Sequence, residues 1–237
     1  MKFQDKFNEF NRLWKRKKLF KIIWKMSNFF PNWIFELQKL FFLKAAPDQL
    51  KIPRTVKTYC SQIAYEKDIN NIIEITDYEP KIHYQKLYRD YLRCGNLCHL
   101  LTGKSNDEIV GYVWSFKDQY KLSTLQENIF AIFQNQDVFF ADGYISPKYR
   151  LRGGFPLLLK SAADDNLKKY KIKNIFASTN AMNEHSLKSH KRLGFNDFCT
   201  LYYITVLGFQ LIIILYKNKT KRLRISLKNF KTEVPIY

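Results

Sequence analysis

The rhythm of apolar and polar positions changes along the chain. Near its start Phe3, Phe7, Phe10 and Trp14 recur at helical spacing, with Lys6, Arg12, Lys15, Arg16, Lys17 and Lys18 between or beside them. That is the pattern of a basic amphipathic helix. Pro31 ends any helix running over 19–30, and the apolar stretch 33–42 is expected to pack on the domain behind it. From residue 54 onward short β-branched and aromatic runs alternate with helical ones. Strands are predicted over 55–64, 98–102, 109–116, 137–146 and 172–178, and helices over 68–75, 82–93, 153–170 and 184–193. Asp68 opens the first of these helices, Gly95 and Gly194 stop two others, and the polar turn Ser105-Asn106-Asp107 joins two strands in a hairpin. The uncharged run 198–216 approaches the roughly 20 residues of a spanning helix. Its Thr200, Thr205, Gly208 and Gln210, with its Tyr, Ile and Val content, suit two strands meeting near Gly208 and Phe209 better. The alternation predicts a mixed sheet with helices packed on it, an α+β fold.

A chain of 237 residues has room for one domain plus an attached segment. Hydrophobic residues at 46% and aromatics at 16% build a core, which excludes disorder throughout. Three zones follow: a basic amphipathic extension over 1–53, a mixed domain over 54–216 and a basic tail over 217–237. No internal repeat is present. Lys and Arg number 40 against 21 Asp and Glu, a net charge of +19. Such a field attracts phosphates, anionic lipid headgroups or an acidic protein. Four cysteines, Cys60, Cys94, Cys98 and Cys199, form no disulfide framework and point to a reducing cytoplasm. Cys94 and Cys98, followed by His99, lack a second ligand pair at zinc spacing, so no metal is expected. Lys18, Lys21 and Lys25 interrupt the early apolar runs, unlike a secretory signal.

Two segments carry chemistry. In the stretch Tyr144-Ile145-Ser146-Pro147-Lys148-Tyr149-Arg150-Leu151-Arg152-Gly153-Gly154-Phe155, a strand stops at proline and turns through basic residues into a helix. Glycines allow close backbone approach, and first-turn N–H groups have no partner within the helix, so the turn suits a diphosphate. An ordinary glycine-rich turn with solvated arginines fits this segment equally well. The second segment runs from Asn183 through Ser186 and His190 to Gly194-Phe195, a short helix after a strand. In this order the two segments resemble the acetyl-CoA-dependent N-acetyltransferase superfamily, the GNAT fold. Arg150 and Gly153 match the family's cofactor pattern, and Phe155 stands where it prefers Gly or Ala. Asn183, Ser186, Gly194 and Phe195 match its downstream pattern. The likeness covers residues 55–216 and implies a mostly antiparallel twisted sheet flanked by helices. Asp142-Gly143-Tyr144 and Val206-Leu207-Gly208-Phe209, with the basic extension, are also similar to a subgroup met beside surface-polysaccharide genes.

The resemblance implies an N-acyltransferase that moves an acetyl or longer acyl group from acyl-CoA to the primary amine of a small molecule, such as an amino sugar. Tyr144 and Ile145 would bond the pantetheine arm through their backbone. Arg150, Leu151, Arg152, Gly153, Gly154 and Phe155 would hold the diphosphate, and Asn183 would bond the arm or a strand end. Asp142, a carboxylate inside an apolar strand, is the candidate general base. Its competing reading is a carboxylate tied to neighbouring backbone or a basic side chain. His190 stands where many relatives carry a tyrosine that protonates the departing thiolate, and imidazole suits that task. A half-buried packing group is its competing reading. The basic ends fit the inner face of an anionic membrane, an acidic acyl carrier protein, or a helix covering the sheet. Acylation of an amino acid or a protein lysine is a second reading of the same fold. A nucleic-acid module lacks any reading helix or stacking motif.

Overall fold

The structure is a computed structural model that describes residues 19–27, 29–31, 34–51, 58–105, 107–122, 129–150, 152–207, 209–217, 221–227 and 232–236. The helix expected over the first residues, with Phe3, Phe7, Phe10 and Trp14, lies outside them, as does Leu151. Helix α1 covers Leu19–Ser27 and leads into strand β1, Phe35–Ala45. Then follow β2 (Tyr59–Ile63), α2 (Ile69–Glu74), α3 (Lys81–Arg93), β3 (Leu97–Gly103), β4 (Ile109–Phe116), β5 (Gln119–Lys121), β6 (Ile129–Ile132) and β7 (Asp137–Ile145). Helix α4 covers Gly154–Tyr170, β8 Asn174–Asn180, α5 Glu184–Arg192, β9 Asn196–Val206, β10 Phe209–Tyr216, β11 Lys221–Leu227 and β12 Thr232–Pro235.

Nine strands form one sheet in the order β11-β10-β9-β1-β8-β7-β4-β3-β2, and β12-β6-β5 form a smaller one. Pairing in the large sheet is antiparallel except between β7 and β8. The fold is therefore α+β, with a mixed, mostly antiparallel sheet. The run 198–216 forms β9 and β10, paired from Phe209↔Val206 to Tyr216↔Cys199, and among the described residues no helix is long and apolar enough to cross a membrane. Asp68 does not cap α2 with its side chain; its carboxylate accepts the backbone N–H of Tyr65 at 2.8 Å instead.

The stretch 33–42 does more than pack on the domain. As part of β1 it lies inside the sheet, bonded to β8 on one edge and β9 on the other. Buried Leu40 and Phe42 face one layer and Leu43 and Ala45 the other, the period-two signature of a strand covered on both faces. The tail adds β11 beside β10 and β12 parallel to β6. On one face of the sheet Ile69, Ile72 and Ile73 of α2, Tyr88 of α3 and the small sheet cover Tyr112, Trp114, Phe139 and Phe176. On the other, Leu158, Leu159, Ala162 and Ala163 of α4 cover Leu43, Val113, Val138 and Ile175.

Candidate active site

The parallel pair β7 and β8 stays in register from Asp137↔Asn174 to Phe140↔Ala177 and no further. Beyond that point β7 continues to bond β4 alone, to Gly111↔Ile145. The two strands thus part at the centre of the sheet and leave a notch. A bulge accompanies the split. Tyr112 faces Tyr144 while Trp114 faces Ala141, so β7 carries one extra residue over this interval. Asp142 sits in the bulge with φ +48, a conformation that costs a non-glycine residue on the order of 1 kcal/mol.

The bulge leaves Ala141 and Asp142 on one face and turns Gly143 to the other. Asp142 Oδ1 accepts the hydroxyl of Tyr120 at 2.9 Å, on the face covered by α2, α3 and the small sheet. Burial pushes its carboxyl up to about 6, with the Tyr120 hydrogen bond pulling the other way. Around it lie Tyr78, Tyr84, Tyr88, Tyr112 and Tyr144, with Tyr78 stacked on Tyr84 at 4.7 Å and Tyr112 on Tyr144 at 6.1 Å. Two buried polar atoms there have no hydrogen-bond partner, the Tyr144 hydroxyl and Trp114 Nε1. No local pattern announces this aromatic ring, because its members come from α3, β4, β5, β7 and the turn before α3. Gly143 looks to the other face, where the Phe155 ring lies 3.5 Å from the place a side chain would start.

Helix α4 opens at Gly153, whose φ of +77 favours glycine. No side chain caps this end. The N–H groups of Gly153, Gly154 and Phe155 precede the helical ladder, and Pro156 contributes none. A Cβ on Gly154 would fall 2.5 Å from Leu101 Cδ2, so its glycine lets the first turn sit directly on β3. Arg152 is exposed beside this end, its guanidinium 5.9 Å from the Tyr149 ring. Arg150 folds back, its Nε donating to the Ile145 carbonyl at 2.9 Å. Ser146 N donates to Val110 O of β4 at 2.9 Å, so strand alternation turns the polar backbone atoms of Ile145 away from β4, toward the notch. Those of Tyr144 turn to β4. Three N–H donors, the positive end of the helix dipole and exposed Arg152 lie at this helix start, groups suited to an anion.

His190 is buried in α5 with Phe155 and Phe195 set edge-on to it at 5.5 and 5.3 Å. Its Nδ1 lies 2.8 Å from the Ser186 carbonyl and donates to it, which leaves Nε2 as the acceptor nitrogen of the neutral ring. Burial lowers its pKa against that hydrogen bond. It belongs to the α4 face of the sheet and Asp142 to the opposite face, so the two approach the notch from different sides. Asn183 Oδ1 accepts Ser186 N at 3.0 Å, the N-cap of α5. His99, outside the notch, lies 3.4 Å from Asp165 and is held down to about 4 by burial. Among the described residues no group of His, Cys, Asp and Glu could hold a metal ion.

A mixed, mostly antiparallel sheet flanked by helices, with a glycine-opened helix start following a strand, agrees with the fold that the two sequence motifs implied. The chain belongs to the acetyltransferase (GNAT) family, whose model matches residues 68–195, and acetyl-CoA is the co-substrate of that family. No curated protein matches the chain. Similar solved structures include a conserved protein of unknown function from Staphylococcus epidermidis (TM-score 0.55, 11% identity, covering 72% of this chain and 62% of that one). A tandem GNAT protein from the clavulanic acid biosynthesis pathway is similar at TM-score 0.52 and 10% identity, covering 73% of this chain and 54% of that one. A GNAT-family acetyltransferase from Colwellia psychrerythraea follows at TM-score 0.50 and 12% identity, covering 72% and 55%. At these identities the likeness shows the fold, and the chain spans 54–62% of the length of these three structures.

Proposed function

We propose that this protein transfers an acetyl group from acetyl-CoA to the primary amine of a small molecule, an amino sugar being the first acceptor to try. One observation carries the reading: the notch between β7 and β8 has a diphosphate-compatible helix start at one end and, at the other, a carboxylate lifted to about 6. In this reading Gly153, Gly154, Phe155 and Arg152 hold the diphosphate, and the backbone of Ile145 bonds the arm once Arg150 releases its carbonyl. Acetyl-CoA supplies the activated acyl group. Asp142, ionised above about pH 6, accepts the proton that the amine sheds as the C–N bond forms and the C–S bond breaks. The departing thiolate needs one proton in turn; His190 serves there by taking a proton from solvent at Nε2, the ring's unprotonated nitrogen, and passing it to the sulfur. The Tyr144 hydroxyl and Trp114 Nε1 are buried donors on the Asp142 face that an acceptor can satisfy.

Thermal unfolding with and without acetyl-CoA tests the cofactor half. Ligand at 100 times its Kd stabilises by about 2.7 kcal/mol, and the double variant Arg150→Ala with Arg152→Ala is expected to lose most of that. No shift with any acyl-CoA overturns the proposal. Release of free CoA in the presence of a panel of amines, amino sugars first, then reads the acceptor.

A further inference from the structure

Ten large apolar or aromatic side chains stand exposed among the described residues, and seven of them gather at one place. Ile23 (36%) and Met26 (50%) come from α1, and Phe29 (71%) and Phe30 (49%) from the turn after it. Val206 (47%), Leu207 (65%) and Phe209 (59%) come from the hairpin between β9 and β10. The two groups meet through β1. Phe30 packs on Phe35 at 6.5 Å, Phe35 stands opposite Val206, Val206 opposite Phe209, and Leu207 N donates to Ile34 O at 3.0 Å. Singly exposed apolar residues are ordinary; a contiguous group marks a contact surface.

The hairpin tip gives an independent sign. Val206 pairs with Phe209, so the hairpin closes in a two-residue turn that Leu207 begins. Two-residue turns of this kind favour Asn-Gly or Asp-Gly because their first residue takes a positive φ. Leu207 takes φ +48 with its side chain out in solvent. A bulky leucine there gains little packing for its backbone cost, which points to a contact outside this chain. The surroundings are basic. Lys25 lies on α1 with Lys21, which pairs with Glu184; in sequence the run Lys15-Arg16-Lys17-Lys18 directly precedes that helix, and the whole chain carries +19.

We infer that this apolar patch is where the protein enters the headgroup layer of an anionic lipid surface. Apolar side chains at a hairpin tip and a helix end insert shallowly, and nearby Lys and Arg are drawn to anionic headgroups. The topology adds a consequence. β7, β8 and β9 run in the same direction, so the patch at the end of β9 shares one edge of the sheet with the end of β7, where the notch and the start of α4 lie. A protein seated on lipid by this patch turns its candidate active edge toward the surface.

Flotation with vesicles of phosphatidylcholine, with and without phosphatidylglycerol, tests this without any turnover. The intact chain is expected to float with the anionic vesicles and much less with the neutral ones. The pairs Met26→Ser with Phe30→Ser, and Leu207→Asn with Phe209→Ser, are each expected to weaken anionic binding at least about tenfold. Leu207→Asn alone suits the turn's backbone, keeps the fold, and is expected to weaken binding about threefold. Circular dichroism confirms that each variant is folded. Anionic binding unchanged in folded variants, or no anionic binding by the intact chain, overturns the inference. So does a concentration-dependent dimer that the same substitutions dissolve, since a second copy would then own the patch.

Discussion

The two halves of the large sheet meet at β7 and β8 and are built on different terms. On the β7 side β2, β3, β4 and β7 succeed one another along the chain, apart from the helices and the small sheet. On the β8 side the neighbour is β1, from 130 or so residues upstream, and it alone joins β8 to β9 and the strands beyond. The first half carries the bulge, the lifted carboxylate and the helix start. The second supplies α5 and the apolar edge. A sheet that must open at its centre needs both halves held firmly from behind, and β1, covered on both faces, does that for the half lacking a continuous chain order.

The strongest way to break this comparison is to weaken β1. Phe42 is fully buried and packs on Phe139 of β7 at 6.1 Å, across the line between the halves. Phe42→Ala is expected to cost about 3–5 kcal/mol in urea unfolding, a large part of the 5–15 kcal/mol typical of a domain. A cost below about 1 kcal/mol would mean that β1 is an accessory strand and that the β8 half stands without it.

Much of the β7 half was legible in the sequence. The β3–β4 hairpin, β7 and α4 fall within a few residues of their predicted spans, because turn residues and amphipathic periods mark them locally. Gly153 and the unfilled N–H groups behind it needed only the strand-to-helix turn to be read. The place of β1 was not legible, since 33–42, apolar apart from Glu36, Gln38 and Lys39, shows a covered segment without saying which strands it joins; that choice is long-range. The bulge was hidden for the same reason: Asp142 stood out as a carboxylate in an apolar strand, but its left-handed backbone and its Tyr120 partner depend on the register with β4. The exposed apolar edge was equally hidden, because Ile23, Met26 and Phe30 become neighbours of Leu207 only through β1.

Asp142 sharpens the contrast from the other side. Removing the base is expected to lower kcat by about a hundredfold or more in Asp142→Asn. The wild-type rate should rise as pH increases through about 6, where the carboxyl ionises, and the variant should lack that limb. Stability should move oppositely. A folded pKa raised from 3.8 to about 6 means that burial disfavours the ionised form, so the associated stability is full below about pH 4 and is lost as pH rises through 6. The gap corresponds to about 2–3 kcal/mol at most. Asp142→Asn should therefore unfold later than wild type at pH 7.5 and with no advantage at pH 4. Loss of stability at pH 7.5 instead would make Asp142 a structural partner of Tyr120.

The smallest effect is expected where the two halves face each other across the notch. Phe155 lies between Gly143 of the bulge and His190 of α5, at the position where the family prefers Gly or Ala. Gly154 already provides the close seat of α4 on β3, so the ring is not needed for that packing and occupies space between the helix start and the bulge. A thioester arm running from one to the other must displace it. Phe155→Ala is expected to lower the KM for acetyl-CoA about threefold while costing about 1 kcal/mol of stability, since the ring is half-buried. His190 would lose one of its two aromatic neighbours, so kcat should change little if the imidazole acts through Nε2 and its Ser186 anchor holds. A KM that rises severalfold in Phe155→Ala would show instead that the ring packs against the bound arm, and that the halves close around it with Phe155 as part of the wall.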